Sequence, residues 1–268
     1  MQPAQNLISY LERFAPLQLA EGWDNVGLLL GDRARSIERV MTCLTLTEDV
    51  AEEAIADKAD LIVCHHPVLF RAVKRLTSDT PEGEMLLRLA ASKILVYSPH
   101  TAFDSAEDGI NAQIATALEL TEVRPLRPSA IEPDGSLGAG RCGRLPAAIP
   151  LRDLITTAQR LLKASSAQVV GDLDRLVERV AIACGSAAEF LPDAVRAGCD
   201  VLLTGEARFH ACLEARSGPC ALVLLGHYAT ERPAVEHLAQ RLGDEFPGLT
   251  SWASRQEHDP VEWIGPAR

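Results

Sequence analysis

Short aliphatic runs recur along this chain, each bounded by charged, Ser, Gly or Pro residues. In the first half they are Arg39-Val40-Met41-Thr42-Cys43-Leu44, Asp60-Leu61-Ile62-Val63-Cys64 and Lys93-Ile94-Leu95-Val96-Tyr97. In the second half they are Arg179-Val180-Ala181-Ile182-Ala183-Cys184, Asp200-Val201-Leu202-Leu203 and Cys220-Ala221-Leu222-Val223-Leu224-Leu225. Runs this short, apolar at successive positions, predict strands covered on both faces. Helical patterns separate them, one through Ala54-Ile55-Ala56 and another through Phe190 to Val195. Strands alternating with helices predict an α/β architecture with substantially parallel sheets. Met1 to Pro16 reads as an amphipathic helix with Leu7, Leu11 and Phe14 on one face. A helix through Leu161, a strand around Gln168 to Val170, a helix after Glu231 with Pro233 near its first turn, and a strand in the segment from Leu249 complete the expected elements.

The pattern repeats. Arg39 to Asp60 and Arg179 to Asp200 both span 21 residues, and each interval carries a strand, a helix and the start of the next strand. Beyond that point Asp60 to His100 spans 40 residues and Asp200 to His227 spans 27, so the first half holds 13 extra. The halves then agree again, with a strand, a His and a carboxylate four residues later: His100 with Asp104, and His227 with Glu231. The expected fold is therefore two interlinked α/β lobes related by an internal pseudo-repeat. Pro125, Pro128, Pro133, Gly135, Gly138 and Gly140 mark a loop-like passage that divides them, giving lobes at 1–126 and 127–268.

Polar residues just past buried strands sit where open α/β sheets bind ligands. His65 and His66 close the run at Asp60 to Cys64, and both His-x-x-x-carboxylate elements follow strands in the same way. A pseudo-twofold between the halves would bring these elements to a shared cleft, an arrangement that points to a two-metal site. Successive strand side chains point to opposite faces, so His65 and His66 would serve two neighbouring ions unless the backbone turns. Asp104 and Glu231 each offer two oxygens and suit a bridging position. In the repeat, His65 and His66 fall opposite Gly205 and Glu206, which divides the metal chemistry unequally.

Five motifs in order, Trp23-Asp24-Asn25-Val26-Gly27-Leu28, His65-His66-Pro67, His100-Thr101-Ala102-Phe103-Asp104, Gly205-Glu206 with His210, and Gly226-His227-Tyr228 with Glu231, resemble the NIF three-like family. Its members are often labelled GTP cyclohydrolase I type 2 homologues, and the resemblance runs from about Trp23 to Ala239. It implies a dinuclear metal centre in the cleft between two α/β lobes, with His65, His66, Asp104, His227 and Glu231 as ligands. It also implies a homo-oligomer, a ring of six subunits. Thr45 departs from the acidic residue expected in many relatives, which bears on a contact beside the ligands. His100 and Glu206 are assigned to proton transfer or to orienting a ligand, with direct ligation or a structural role as the alternatives for His100. For Glu206 the alternative is a carboxylate at a helix start, and His210 belongs to the cleft or to packing beside it. Trp23-Asp24-Asn25 sets a turn or touches substrate.

Composition narrows the classes. With 268 residues and 47% hydrophobic content the chain can bury a sizeable core, and 4% aromatic content makes that core aliphatic. A net charge of −11 argues against nonspecific nucleic-acid binding. The seven cysteines form no CxxC pair and read as reduced core thiols; Cys64, beside the histidine pair, has a ligand or redox role as its alternative. No apolar stretch approaches the ~20 residues of a membrane span. With no signal peptide evident, the cytoplasm is the expected compartment. His237 and His258 lie outside the motifs and are expected at the surface.

The mixed His and carboxylate set suits two divalent ions, Zn, Fe, Mn, Co or Ni. The expected function is metal-dependent hydrolysis of a small-molecule substrate, a nucleotide or related compound. The alternative is a metal-binding regulator or metal-delivery protein without turnover, and a third reading has ions stiffening the lobe interface. No Walker A loop is present, and Arg141, Arg144 and Arg208 are candidate phosphate contacts that nothing selects from the other arginines.

Overall fold

The computed structural model describes residues 2–132 and 135–262. Met1 and Pro133, which entered the expected first helix and the expected boundary, lie outside the described residues. In chain order the elements begin with β1 (Gln2–Pro3), α1 (Ala4–Phe14), β2 (Gly27–Leu30), β3 (Ser36–Ile37), β4 (Arg39–Cys43), α2 (Glu48–Ala56) and β5 (Leu61–Cys64). They continue with α3 (Pro81–Ala91), β6 (Leu95–Ser98), α4 (His100–Ser105), α5 (Ile110–Ala117), β7 (Thr121–Arg124), β8 (Arg127–Pro128), β9 (Gly138–Ala139) and β10 (Arg141–Pro150). The last are α6 (Leu151–Leu162), β11 (Gln168–Val170), β12 (Leu176–Ala183), α7 (Leu191–Arg196), β13 (Val201–Thr204), α8 (Phe209–Ser217), β14 (Ala221–Leu224), α9 (His227–Glu245) and β15 (Thr250–Ala253). This is a mixed α/β fold.

The chain divides into two compact units. The first holds Met1–Phe103 and Ala234–His258, the second Asp104–Pro233 and Asp259–Arg268. The Pro- and Gly-rich passage from Pro125 to Gly140 falls inside the second unit, and the unit boundaries fall inside α4 and α9.

In the first unit a five-stranded sheet runs in the order β15-β4-β5-β6-β2. β15, β4, β5 and β6 are parallel, and β2 closes the edge antiparallel to β6. Met41, Ile62, Val96 and Leu89 pack in its core and are buried to 2% exposure or less. α1 lays Ala4, Leu7, Ile8 and Leu11 inward; Leu7 and Leu11 of the expected face are buried, while Phe14 at the end of the helix is only half-buried. The strand from Leu249 joins this first sheet beside β4.

Its last residues are anchored by Glu53, a carboxylate on α2 that is 7% exposed. Glu53 accepts hydrogen bonds from Ser254 Oγ at 2.6 Å, from the backbone of Arg255 and Gln256, and from Trp252 Nε1 at 3.2 Å. Burial by itself would raise this carboxyl; the donors outweigh it and hold the group below the usual range.

In the second unit a six-stranded sheet has the order β11-β14-β13-β12-β10-β7. β12, β13 and β14 are parallel, while β11, β10 and β7 pair antiparallel with their neighbours. Leu202, Leu222, Ala181 and Ala194 form its core.

A shared device explains the 21-residue register of the repeat. The Asp60 carboxylate accepts from the backbone N–H groups of Glu38 and Arg39 at 2.9 and 3.1 Å, and the Asp200 carboxylate accepts from those of Glu178 and Arg179 at 2.9 and 2.8 Å. Each Asp N–H donates to the carbonyl of the matching Arg, and each Asp carbonyl accepts from the N–H of the first residue of the third strand, Leu95 or Ala221. One aspartate at the sheet edge thus ties three parallel strands together in each unit, through its carboxylate and its backbone. The extra residues of the first half fall in Pro67–Thr80, which carries no helix or strand and leads into α3.

One element starts earlier than expected. α9 begins at His227, so Pro233 lies inside the helix and not in its first turn. Thr230 Oγ1 donates to the carbonyls of Gly226 and His227, which supports the opening turn ahead of the proline.

Candidate metal centre

In the first unit the candidate residues gather where β5 and β6 end. The backbone bends at His65 and His66 immediately after β5, so the two rings meet, with centroids 5.1 Å apart, instead of diverging as strict strand alternation requires. His100 begins α4 just beyond β6, and its ring centroid lies 5.2 Å from that of His65 and 5.7 Å from that of His66. Each of the three imidazoles offers one nitrogen, and these nitrogens lie within 4.8 Å of one another, a group able to hold a metal ion. The sequence reading favoured proton transfer or orientation for His100 over direct ligation; its ring lies in the same candidate group as His65 and His66. Its backbone adopts φ +31°, a left-handed conformation that side-chain-bearing residues rarely take and that is commonest at functional sites.

Two of these rings have their second nitrogen fixed. Asp24 Oδ1 lies 2.7 Å from His100 Nδ1, and Thr45 Oγ1 lies 2.8 Å from His66 Nδ1. Metal-binding histidines usually spend the distal nitrogen in this way, which sets tautomer and ring direction. Burial opposes the charge on Asp24, but hydrogen bonds from His100 and Thr101 and the His100 charge bring its carboxyl down to about 2. Thr45 is itself held from the far end of the sequence, where Glu257 accepts from the backbone N–H groups of Leu44 and Thr45 at 2.9 and 2.6 Å. Cys64 is fully buried in the first core, and burial pushes its thiol up to about 12, so it is a core residue.

In the second unit His227 and Glu231 sit one turn apart on α9, on one face. His227 Nε2 lies 3.1 Å from Glu231 Oε2, and its Nδ1 lies 2.9 Å from Glu206 Oε1. Glu231 is buried, whereas Glu206 is largely exposed. Desolvation works against a charged imidazole, yet the two carboxylates prevail and lift His227 to about 9. Asp104 receives the Cys184 thiol at 3.2 Å, and Asn111 links the Asp104 carbonyl to the Cys184 N–H. Burial, followed by the charges of Asp104 and Glu231, holds that thiol well above its ordinary value. Two carboxylates and an imidazole thus surround the end of β12.

Glycines make this crowding possible. A Cβ on Gly185, at φ +66°, would stand 2.2 Å from Glu231 Oε1, and one on Gly205 would stand 2.6 Å from the Gly185 carbonyl and 2.8 Å from His227 Cα.

Other candidates lie apart. His210 and Arg208 are exposed, as are His237 and His258. Arg141 is buried and spends its guanidinium on the carbonyls of Gly138, Gly140, Ala106 and Ser136, while Arg144 pairs with Glu178, so neither is placed as a phosphate contact. Glu257, Gly185 and the orienting role of Asp24 escaped the sequence reading, which marked Thr45 only as a departure beside the ligands. The repeat held one signal, because matching Arg39 to Arg179 pairs Thr45 with Gly185, the two positions that abut the candidate ligands.

Comparison with known proteins identifies the family. A model of the Duf34/NIF3 (NGG1p interacting factor 3) family matches residues 3–260. A Clostridium acetobutylicum protein called GTP cyclohydrolase 1 type 2 homolog is 32% identical over 240 residues, covering 89% of this chain and 88% of the relative. A Nostoc protein of the same description is 38% identical over 224 residues, covering 82% of each, and Drosophila melanogaster NIF3-like protein 1 is 32% identical over 263 residues, covering 95% and 87%. Among solved structures, a Bacillus cereus protein related to NIF3 superposes with a TM-score of 0.88 at 22% identity, covering 97% of this chain and 99% of the other, a likeness of fold. With the family model spanning both units, the chain belongs to the Duf34/NIF3 (NGG1p interacting factor 3) family.

Proposed function

We propose that this protein is a metal-dependent hydrolase acting on a nucleotide or related small molecule. In this reading two divalent ions are held in a cleft between the lobes. The observation that carries it is the cluster of His65, His66 and His100, with Asp24 and Thr45 fixing the distal nitrogens of two of them. The donors fit such ions: borderline imidazoles in the first unit, with Asp104, His227 and Glu231 adding hard carboxylate oxygens and a further nitrogen from the second.

Bound ions would supply Lewis acidity and an activated water. The protein's own residues would do the rest. Asp24 keeps His100 in one tautomer, with Nε2 as its binding nitrogen. Glu231 and Glu206 favour a proton on His227 in the metal-free protein, and His227 would offer a nitrogen to a bound ion once that proton is lost. Glu206, exposed and hydrogen-bonded to His227 Nδ1, is the group we assign to proton exchange with substrate or solvent. Assembly as a ring of six and a cytoplasmic site of action belong to the same reading. Among the described residues no helix is long and apolar enough to cross a membrane.

The test is elemental analysis of gently purified protein, followed on the same sample by a GTP turnover assay with Glu231→Ala alongside. About two ions per chain, with product that disappears in the variant, supports the hydrolase. The same metal content without product, from GTP or a nucleotide panel, favours metal handling and overturns the hydrolase reading.

A further inference from the structure

The chain has twelve aromatic residues, 3 Trp, 3 Tyr and 6 Phe. Among the described residues three of them are exposed: Trp23 at 60%, Phe70 at 48% and Phe209 at 73%. Large rings usually sit in cores, and clustered exposed ones mark interaction sites. Trp23 and Phe70 are clustered, and they stand beside His100.

Their ring centroids are 5.8 Å apart at an interplanar angle of 69°. Trp23 lies 6.1 Å from the His100 ring at 73°, and Phe70 lies 6.3 Å from it at 87°. The three rings are thus in mutual edge-to-face contact. Spacing this close leaves no room for a ligand among them, which excludes a cage converging on a cation. What remains open is the outward surface of the Trp23 and Phe70 rings.

The cluster is held rigidly by the residues next to Trp23. Asp24 binds the His100 ring at 2.7 Å and the Thr101 hydroxyl and N–H at 2.5 and 3.2 Å. Asn25 Nδ2 donates to the Leu69 carbonyl at 2.7 Å, fastening the Trp23 turn to the loop that carries Phe70. Three consecutive residues therefore present a ring, orient a candidate metal ligand and lock the neighbouring loop. A preorganised aromatic surface loses little freedom on binding, and its chemistry suits a flat π-system, which stacks regardless of its substituents.

We propose that Trp23 and Phe70 form a stacking wall for a planar heteroaromatic ring, placing that part of a small-molecule ligand beside His100. This rests on the small-molecule reading above and narrows its substrate class. Phe70 is a specificity residue in this scheme, and Trp23 the principal contact.

The test uses metal-loaded full-length protein and its Trp23→Leu, Trp23→Phe and Phe70→Leu variants. Saturation-transfer NMR and calorimetry would measure binding of guanosine, adenosine, a pterin and nicotinamide, with ribose 5-phosphate as the ring-free control. At least one ring compound should bind more tightly than ribose 5-phosphate. Trp23→Leu should weaken it roughly 5- to 150-fold, the range for losing one stacking partner, and Trp23→Phe should restore most of the binding. Absence of binding by every ring compound, or equal binding to wild type and Trp23→Leu, overturns the proposal. Metal content measured on each sample separates the two readings. Metal retained with ring binding indifferent to Trp23 removes the wall and leaves the metal centre, whereas Trp23-dependent ring binding to a wild type that holds no metal does the reverse. Should Trp23→Leu shed metal, Phe70→Leu decides, because Phe70 lies outside the Asp24–His100 hydrogen bonds: weakened ring binding supports the wall, and unchanged binding overturns it.

Discussion

Gly185→Ala is the sharpest probe of the second unit. At φ +66° a side chain costs about 1–2 kcal/mol from backbone strain alone. The new methyl would also lie 2.2 Å from Glu231 Oε1 and 3.2 Å from His227 Nε2. Restoring even a 3.0 Å approach moves the carboxylate by about 0.8 Å. The His227–Glu231 contact, now 3.1 Å, would stretch or turn out of line. Only Glu206 would then sustain the charge on His227, and its pKa should fall from about 9 toward the ordinary 6.5. The sign of the stability effect follows. A group whose pKa is raised on folding contributes fully below its unfolded value and loses that contribution as pH rises through the folded value. In metal-free protein the stability gap between wild type and Gly185→Ala should therefore be largest below pH 6.5 and shrink toward the strain contribution above pH 9. Urea unfolding across this range, with NMR titration of His227, measures both. Metal affinity should drop roughly 10- to 100-fold, as for loss of ligand support. An unaltered His227 titration with a pH-independent gap would refute the reasoning.

Two further predictions concern the first unit. Thr45→Ala removes the partner of His66 Nδ1 and should weaken metal binding roughly 10- to 100-fold, while Thr45→Ser should preserve it; equal affinities in a calorimetric zinc titration would show that Thr45 does not orient the ring. Asp24→Asn keeps the shape but removes the charge facing His100. Because the Asp24 carboxyl is lowered from 3.8 to about 2, its stabilisation is present above 3.8 and lost as pH falls toward 2, so wild type should lose more stability than Asp24→Asn over that interval in urea unfolding. Parallel curves would contradict the pairing.

Much of the fold was legible because buried parallel strands leave an unambiguous mark. Asp60 to Cys64 and Gln168 to Val170 could be read as strands within a residue of their observed limits, β5 and β11. The repeat was visible in spacing alone, since the Asp60 and Asp200 carboxylates fix that spacing through the same backbone bonds. What escaped depended on contacts between residues distant in sequence. Nothing local to Thr45 announces that Glu257 will secure its N–H, and nothing local to Asp24 announces a bond to His100, 76 positions on. The turn after β5 stood in the sequence only as an exception to strand alternation, because alternation describes a strand and ceases to apply where the strand stops. Pro233 misled for a different reason. Proline favours a first turn, but here Thr230 supports a helix already under way, and tertiary placement of His227 and Glu231 overrides the local preference.

The unequal division of candidate donors between the repeats has a packing cause. Matching Asp60 to Asp200 aligns His65 with Gly205 and Thr45 with Gly185. In the first unit the position after the central strand has room for an imidazole, and Thr45 reaches across to orient its neighbour. In the second unit α9 begins so close to the strand ends that a Cβ at Gly205 would meet His227 Cα at 2.8 Å, and one at Gly185 would meet Glu231. A histidine at 205 is therefore sterically closed, and the second repeat offers its candidate donors from a helix, as His227 and Glu231 on α9. The same strand frame yields an imidazole-rich group in one unit and a carboxylate-rich group in the other.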